Sequence, residues 1–291
     1  MGIDFEDRVV LVTGATKGLG LSFARCLAEA GAHVVLNSRT PYPGHSLEFM
    51  KNEGLKVSFI KGPVEESQEL IDRVMDQNGR LDSLVHNAGF IMDKTLKKMS
   101  DSQWSDVMGV HLTSAFKLTR AAWPHFEEAG GGRIVFLSSA TGLYGNFGQA
   151  NYASAKLGML GLAKTIAIEG AKSDITCNCV APFGATGMNS ANFPDDLKKA
   201  IKAEYVAPLV AYLVHKNCSE SGSMFEASAG SFKKVRWERS RGLNLDPRQE
   251  EITIDKIAKS WEEIVSFSDS EHPDSMGEAL KVMYERLLDN A

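Results

Sequence analysis

Short β-branched runs recur along this chain with helical patterns between them, and that alternation limits the fold more than any other feature. The runs lie at residues 9–12, 34–36, 57–60, 83–85, 134–137, 175–180 and 223–227. Strands that alternate with helices read as βαβ units and hence as a parallel sheet. Each run is almost continuously apolar, as a strand covered on both faces has to be. Helical patterns fall at 19–30, 67–78, 102–128, 150–172 and 204–215. The expected architecture is therefore α/β: a doubly wound, seven-stranded parallel sheet with helices on both faces.

A polar stretch with Gly and Pro, 241–247, precedes two more helical patterns at 255–265 and 275–288. So short a segment rarely holds a core alone. We expect one domain over residues 1–240 and a C-terminal helical extension over 241–291 packed on it.

A net charge of −5 offers no broad basic footprint, so nucleic acid is not an expected partner. The basic residues Lys233, Lys234, Arg236, Arg239 and Arg241 read as a solvated or inter-subunit surface rather than an anion site. No apolar run has the length of a membrane span, and the acidic start Met1 to Glu6 lacks a secretory pattern. The end Asp289-Asn290-Ala291 lacks a Ser-Lys-Leu address, and the expected compartment is the cytoplasm. Cys26, Cys177, Cys179 and Cys218 lack zinc-site spacing and read as buried apolar residues, so no metal is expected.

Directly after the first strand comes Gly14-Ala15-Thr16-Lys17-Gly18-Leu19-Gly20, opening a helix. Such a turn lets the backbone approach a pyrophosphate, and the helix N-terminus offers it free amides and a positive dipole end. This is the pattern of a Rossmann-type dinucleotide site. The second strand ends Asn37-Ser38-Arg39, with no acid to accept from ribose hydroxyls. Arg39 and Lys17 could instead converge on a 2′-phosphate, so NADP(H) is expected over NAD(H). Asn87, Ala88 and Gly89 close the fourth strand beside the adenosine half, and backbone near Val64 replaces a missing carboxylate there.

Tyr152 and Lys156 stand four apart on a helix and share a face. A phenol is a poor base at neutral pH until a cation favours its phenolate; Lys156 is placed to supply that field and to hold the nicotinamide ribose. Ser139, just past a strand end, would steady a substrate oxygen. Hydride transfer with Tyr152 giving or taking the proton follows.

These motifs resemble the short-chain dehydrogenase/reductase superfamily over about residues 7–230. The resemblance carries over Ser139, Tyr152, Lys156 and the three glycines, and sets His111 where the family's usual asparagine stands, in a proton relay through its main chain. It also implies cofactor contacts from Pro182, Gly184 and Thr186. His111, the run 144–152 and the segments 204–210 and 235–240 are similar to the (3R)-hydroxyacyl-CoA dehydrogenase region of peroxisomal multifunctional enzyme type 2, especially its fungal forms. That likeness implies a homodimer that oxidises (3R)-3-hydroxyacyl thioesters with NAD in fatty-acid β-oxidation. Ser38-Arg39 and a shortened segment after it depart from that pattern and point to an NADP(H)-dependent ketoreductase, in a biosynthetic setting. A redox-inactive scaffold or a non-redox isomerase or cyclase is the reading from another class. The substrate wall is expected from 141–148 and from Phe183, Thr186 and Met188, with Met188, Phe193 and Leu197 as a lid or as ordinary packing.

Overall fold

In the computed structural model, the described residues are 3–41, 44–183 and 194–289. They divide by contact into two units, Met1–Lys234 and Val235–Ala291.

The first unit holds strands β1 (Val9–Thr13), β2 (His33–Ser38), β3 (Val57–Lys61), β4 (Ser83–His86), β5 (Gly132–Leu137), β6 (Ile175–Pro182) and β7 (Met224–Ser228), in one sheet of order β3-β2-β1-β4-β5-β6-β7 and all parallel. Between them run α1 (Gly18–Glu29), α2 (Gly44–Asn52), α3 (Ser67–Asn78), α4 (Asp101–Met108), α5 (Ser114–Glu128), α6 (Ala140–Tyr144), α7 (Ala150–Glu169), α8 (Asp195–Ala200) and α9 (Ala207–Leu213).

The strands are apolar throughout because both faces are covered. Val10, Val12, Val34 and Leu36 pack with Phe23 and Leu27 of α1 and Val210 of α9, while their neighbours Leu11, Leu84, Ile134 and Phe136 are equally buried. The strand order reverses between β1 and β4, and the connections diverge there to leave a crevice beyond the strand ends.

An eighth strand corrects the expected seven. Ala229 and Gly230, with φ of 48° and 76°, turn the chain back into β8 (Ser231–Val235) beside β7. This edge strand is exposed and carries Lys233 and Lys234, a common device for keeping a sheet edge from pairing further. Lys234 pairs with Glu220 at 2.8 Å.

The expected helix over 102–128 is also broken. Gly109–Thr113 forms a π turn between α4 and α5, and His111 sits in it. The sequence pattern carried no sign of α2.

The second unit contains α10 (Ile254–Lys259), α11 (Trp261–Ile264), α12 (Met276–Asp289) and a two-stranded ladder of β9 (Arg239–Ser240) with β10 (Ser270–Glu271). Arg239 pairs with Glu271 at 2.7 Å and Arg241 with Asp269 at 2.9 Å, so these two basic residues are neutralised locally.

Candidate active site

A cavity of about 460 Å3 opens at the β1/β4 reversal. Gly14, Thr16, Lys17, Gly18, Leu19, Ser38, Arg39, Val64, Asn87, Ala88 and Gly89 all line it. Gly14 and Gly18 hold φ of 63° and 56°, in the left-handed region that favours glycine. Lys17 caps α1 without any side-chain hydrogen bond, so the amides of the first turn stay free for an anion. Gly20 does not line the cavity but shapes it. A Cβ there would stand 2.3 Å from the Gly14 carbonyl oxygen and 2.5 Å from Asn87 Nδ2. Asn87 in turn donates from Nδ2 to the carbonyls of Thr13 and Gly14, at 3.1 and 3.0 Å, tying the glycine turn to the end of β4. These features fit the pyrophosphate and adenosine half of a dinucleotide.

At the β2 end, Asn37 donates to the carbonyls of Ile60 and Gly62 at 3.1 Å each, and its place at the crevice is structural. Arg39 extends over the ring of Phe90, 5.6 Å from its centroid. Phe90 and Thr40 also line the cavity and were not anticipated.

Ser139, Tyr152, Lys156 and His111 gather beside it. Ser139 follows β5 and caps α6, where its Oγ accepts from the Thr141 amide at 3.1 Å and hydrogen-bonds the Tyr152 phenol. Asn151 anchors the start of α7 by donating to the carbonyls of Met92 and Gln103 at 3.2 and 2.9 Å. The ring of His111 meets Tyr152 edge-on, with centroids 5.2 Å apart. Its Nε2 donates to the Phe90 carbonyl at 2.8 Å, and its Nδ1 is buried with no hydrogen-bond partner among the described residues. A Cβ on Gly89 would fall 2.1 Å from His111 Cε1, so this group and the cavity wall touch across bare backbone. Tyr152, Lys156 and Pro182 do not themselves line the cavity; Pro182 ends β6 and is half-buried. Gly184, Thr186, Met188 and Phe193 lie outside the described residues, as does the side chain of Leu197.

The electrostatics differ from the expectation of a phenol acidified by Lys156. Burial pushes Tyr152 above its ordinary value; the Ser139 hydrogen bond opposes this, and the Asp93 carboxylate adds to it. Burial lowers Lys156 to about 7. Its Nζ donates to the Leu137 carbonyl and lies 5.4 Å from the Tyr152 ring centroid. An ammonium this desolvated is only part-charged near neutral pH, and it faces the ring rather than acting on the phenol oxygen.

Residues missed from the sequence include Asp93, Gln149 and His86. Gln149 donates to Asp93 at 2.9 Å and accepts from Thr141 and Asn146 at 3.2 and 2.9 Å, which fixes the loop ahead of Tyr152. Its position three residues before Tyr152 was the only available signal.

The model of the short chain dehydrogenase family matches residues 8–197. The chain belongs to that family. Its members use a nicotinamide dinucleotide, and the chain is an oxidoreductase of this type. A mouse peroxisomal multifunctional enzyme type 2 is 42% identical over 285 residues, covering 94% of this chain and 39% of the mouse protein. The solved structure of full-length peroxisomal multifunctional enzyme type 2 from Drosophila melanogaster superposes with a TM-score of 0.87 at 35% identity, covering 99% of this chain and 50% of that one. The chain thus spans half or less of these two relatives. An acetoacetyl-CoA reductase of Acinetobacter is 36% identical, covering 73% of this chain and 92% of the reductase. No helix among the described residues is long and apolar enough to cross a membrane.

Proposed function

We propose that this enzyme exchanges a hydride between NADP(H) and the 3-position of a 3-oxoacyl or 3-hydroxyacyl thioester. The observation that carries the reading is the convergence of Ser139, Tyr152 and Lys156 beside a crevice with a glycine-turn floor. The substrate class is supported by a relative named acetoacetyl-CoA reductase, and relatives named peroxisomal hydratase-dehydrogenase-epimerase favour a hydroxyacyl dehydrogenase over a biosynthetic ketoreductase.

A bound nicotinamide dinucleotide supplies or accepts the hydride. The glycine turn, the free amides of α1 and the 87–89 segment would hold its phosphates and adenosine, and Lys156 its nicotinamide ribose. Ser139 holds the substrate oxygen and Tyr152 donates its phenolic proton to it as the carbonyl is reduced. In oxidation the same phenol oxygen takes the proton of the alcohol. His111 lies against Tyr152 as a neutral ring: burial first, and then the charge of Lys156, hold its pKa well below the ordinary value. It packs the phenol and is no base.

The NADP(H) preference rests on Lys17 and Arg39 at a β2 end without a carboxylate. Charge-assisted hydrogen bonds of about 1.5–3 kcal/mol make NADPH bind about tenfold or more tighter than NADH. Parallel fluorescence titrations measure this, and tighter NADH binding returns the NAD-dependent β-oxidation reading that the relatives' names favour. Tyr152→Phe is expected to reduce turnover of acetoacetyl-CoA by about 10²–10⁴-fold. Full turnover in that variant would instead support a redox-inactive or isomerase role.

We further propose a homodimer through Trp104, Phe116 and Leu157, exposed apolar residues on α4, α5 and α7, to be read by light scattering. Relatives named peroxisomal set that organelle beside the cytoplasm, and imaging of the tagged chain separates the two.

A further inference from the structure

Strand β4 ends on His86, a fully buried ring set edge-on to Phe136 between β1 and the π turn. Its Nδ1 is 3.1 Å from Thr13 Oγ1. Its Nε2 is 3.1 Å from the carbonyl oxygen of His111 and 3.2 Å from Ser114 Oγ.

The directions of these hydrogen bonds follow from their partners. Thr13 Oγ1 already accepts the amides of Asn87 and Ala88, at 3.1 and 3.0 Å. A hydroxyl oxygen has two lone pairs and one hydrogen. Thr13 therefore has only its hydrogen left for His86, and Nδ1 must accept. At the other nitrogen the partner is a carbonyl, which can only accept, so Nε2 must carry the hydrogen. Ser114 agrees, since its own hydrogen goes to the Val110 carbonyl and leaves Oγ as an acceptor. Both ends select the same neutral tautomer. Burial first, and the charge of Lys156 second, lower His86 to about 4, which keeps the ring neutral in the working range.

We propose that His86 is a positioning residue for the reaction: as an Nε2–H tautomer it bridges Thr13 to the π turn, fixes the carbonyl of His111, and so seats the His111 ring against Tyr152. The onward link is direct. The His111 ring meets Tyr152 at 5.2 Å, and among the described residues its ring is held by the Nε2–H donation to the Phe90 carbonyl, with Nδ1 unpartnered. Its position against the phenol therefore depends on how its backbone is held. This role rests on the reading of Tyr152 as the proton donor.

The test has two arms. In wild-type protein labelled with 15N-histidine, the His86 ring, assigned as the signals lost in His86→Gln, is expected across neutral pH to carry a hydrogen on Nε2 and none on Nδ1, in line with its partners; a hydrogen on Nδ1 overturns the proposal. The second arm compares His86→Gln, whose amide can donate from about the Nε2 position, with His86→Leu, which cannot donate. With acetoacetyl-CoA and NADPH, His86→Gln is expected to keep kcat within about threefold, while His86→Leu loses about tenfold. The KM for NADPH should stay within about twofold in both, because Thr13 still accepts from Asn87 and Ala88. Equal kcat in the two variants, or a loss expressed in the NADPH KM alone, overturns the proposal. If His86→Leu does not fold, the tautomer and the Gln variant still decide. Wild-type protein inactive on every acyl-CoA probe would sink the functional reading while leaving the tautomer readable.

Discussion

Replacing Lys156 with methionine isolates what it costs to keep an ammonium in this site. Lys156 is buried, with no carboxylate partner among the described residues, and burial lowers its pKa from 10.5 to about 7. Each tenfold change in proton affinity is about 1.4 kcal/mol, so the charged form is disfavoured by about 5 kcal/mol relative to the unfolded chain. Between the folded value near 7 and the unfolded value near 10.5, the unfolded chain binds this proton and the folded protein does not. Folding is therefore favoured as pH rises through that window, and the penalty is fully present below it. From about pH 6 to about pH 8, the two constants give the wild type a stability gain of about 1 kcal/mol that the methionine variant lacks. Urea unfolding of both proteins without dinucleotide, at both pH values, measures it. Taking the difference between the proteins cancels thiol and carboxylate titrations common to both. If the difference moves by less than about 0.4 kcal/mol, or the wild type gains toward low pH, the account of Lys156 as a desolvated, part-neutral amine is wrong.

Gly20→Ala sets a methyl group 2.3 Å from a backbone carbonyl oxygen, so the glycine turn has to shift. We expect a stability loss of about 1–3 kcal/mol, with NADPH binding weakened at least about tenfold; unchanged thermal unfolding and titration would contradict the packing. Asp93→Asn removes a carboxylate that pushes the Tyr152 phenol up, while keeping an acceptor for Gln149. The phenol should ionise at a lower pH than in the wild type, moving the alkaline fall of reduction down; a shift upward would reverse the sign of the argument.

The strands were legible because each is a short β-branched run buried on both faces, which leaves an almost pure apolar signal. The glycine turn and the Tyr152/Lys156 spacing were legible for a related reason: backbone geometry and helix periodicity constrain them locally. β8 escaped because it is exposed at the sheet edge, and two lysines with no alternation of buried positions look like surface. The π turn escaped because Gly109–Thr113 continues the helical pattern on both sides, and its extra residue shows only in the hydrogen bonds. His86 escaped because its partners, Thr13 and Ser114, are 73 and 28 residues away in sequence. A histidine at a strand end says nothing of its tautomer until those partners are in place.

Taken together, the shifts on Tyr152 and Lys156 have a direction. Burial raises the phenol and lowers the ammonium, so both lean toward their neutral forms without a dinucleotide. A neutral site is the inexpensive way to bury two ionisable groups, since neither carries a full charge that has lost its water. It also leaves Tyr152 holding the proton that reduction requires. Oxidation needs the phenol oxygen bare, and there burial and Asp93 both oppose it while the Ser139 hydrogen bond pulls the other way. A base held too protonated runs slowly at neutral pH and gains as pH rises, whereas an acid in the same state is already charged with its proton. The residues themselves therefore bias Tyr152 toward the protonated form that reduction uses, and leave less enzyme ready to accept the alcohol proton near neutral pH. The strength of that bias is set by how completely the protein excludes water from Tyr152.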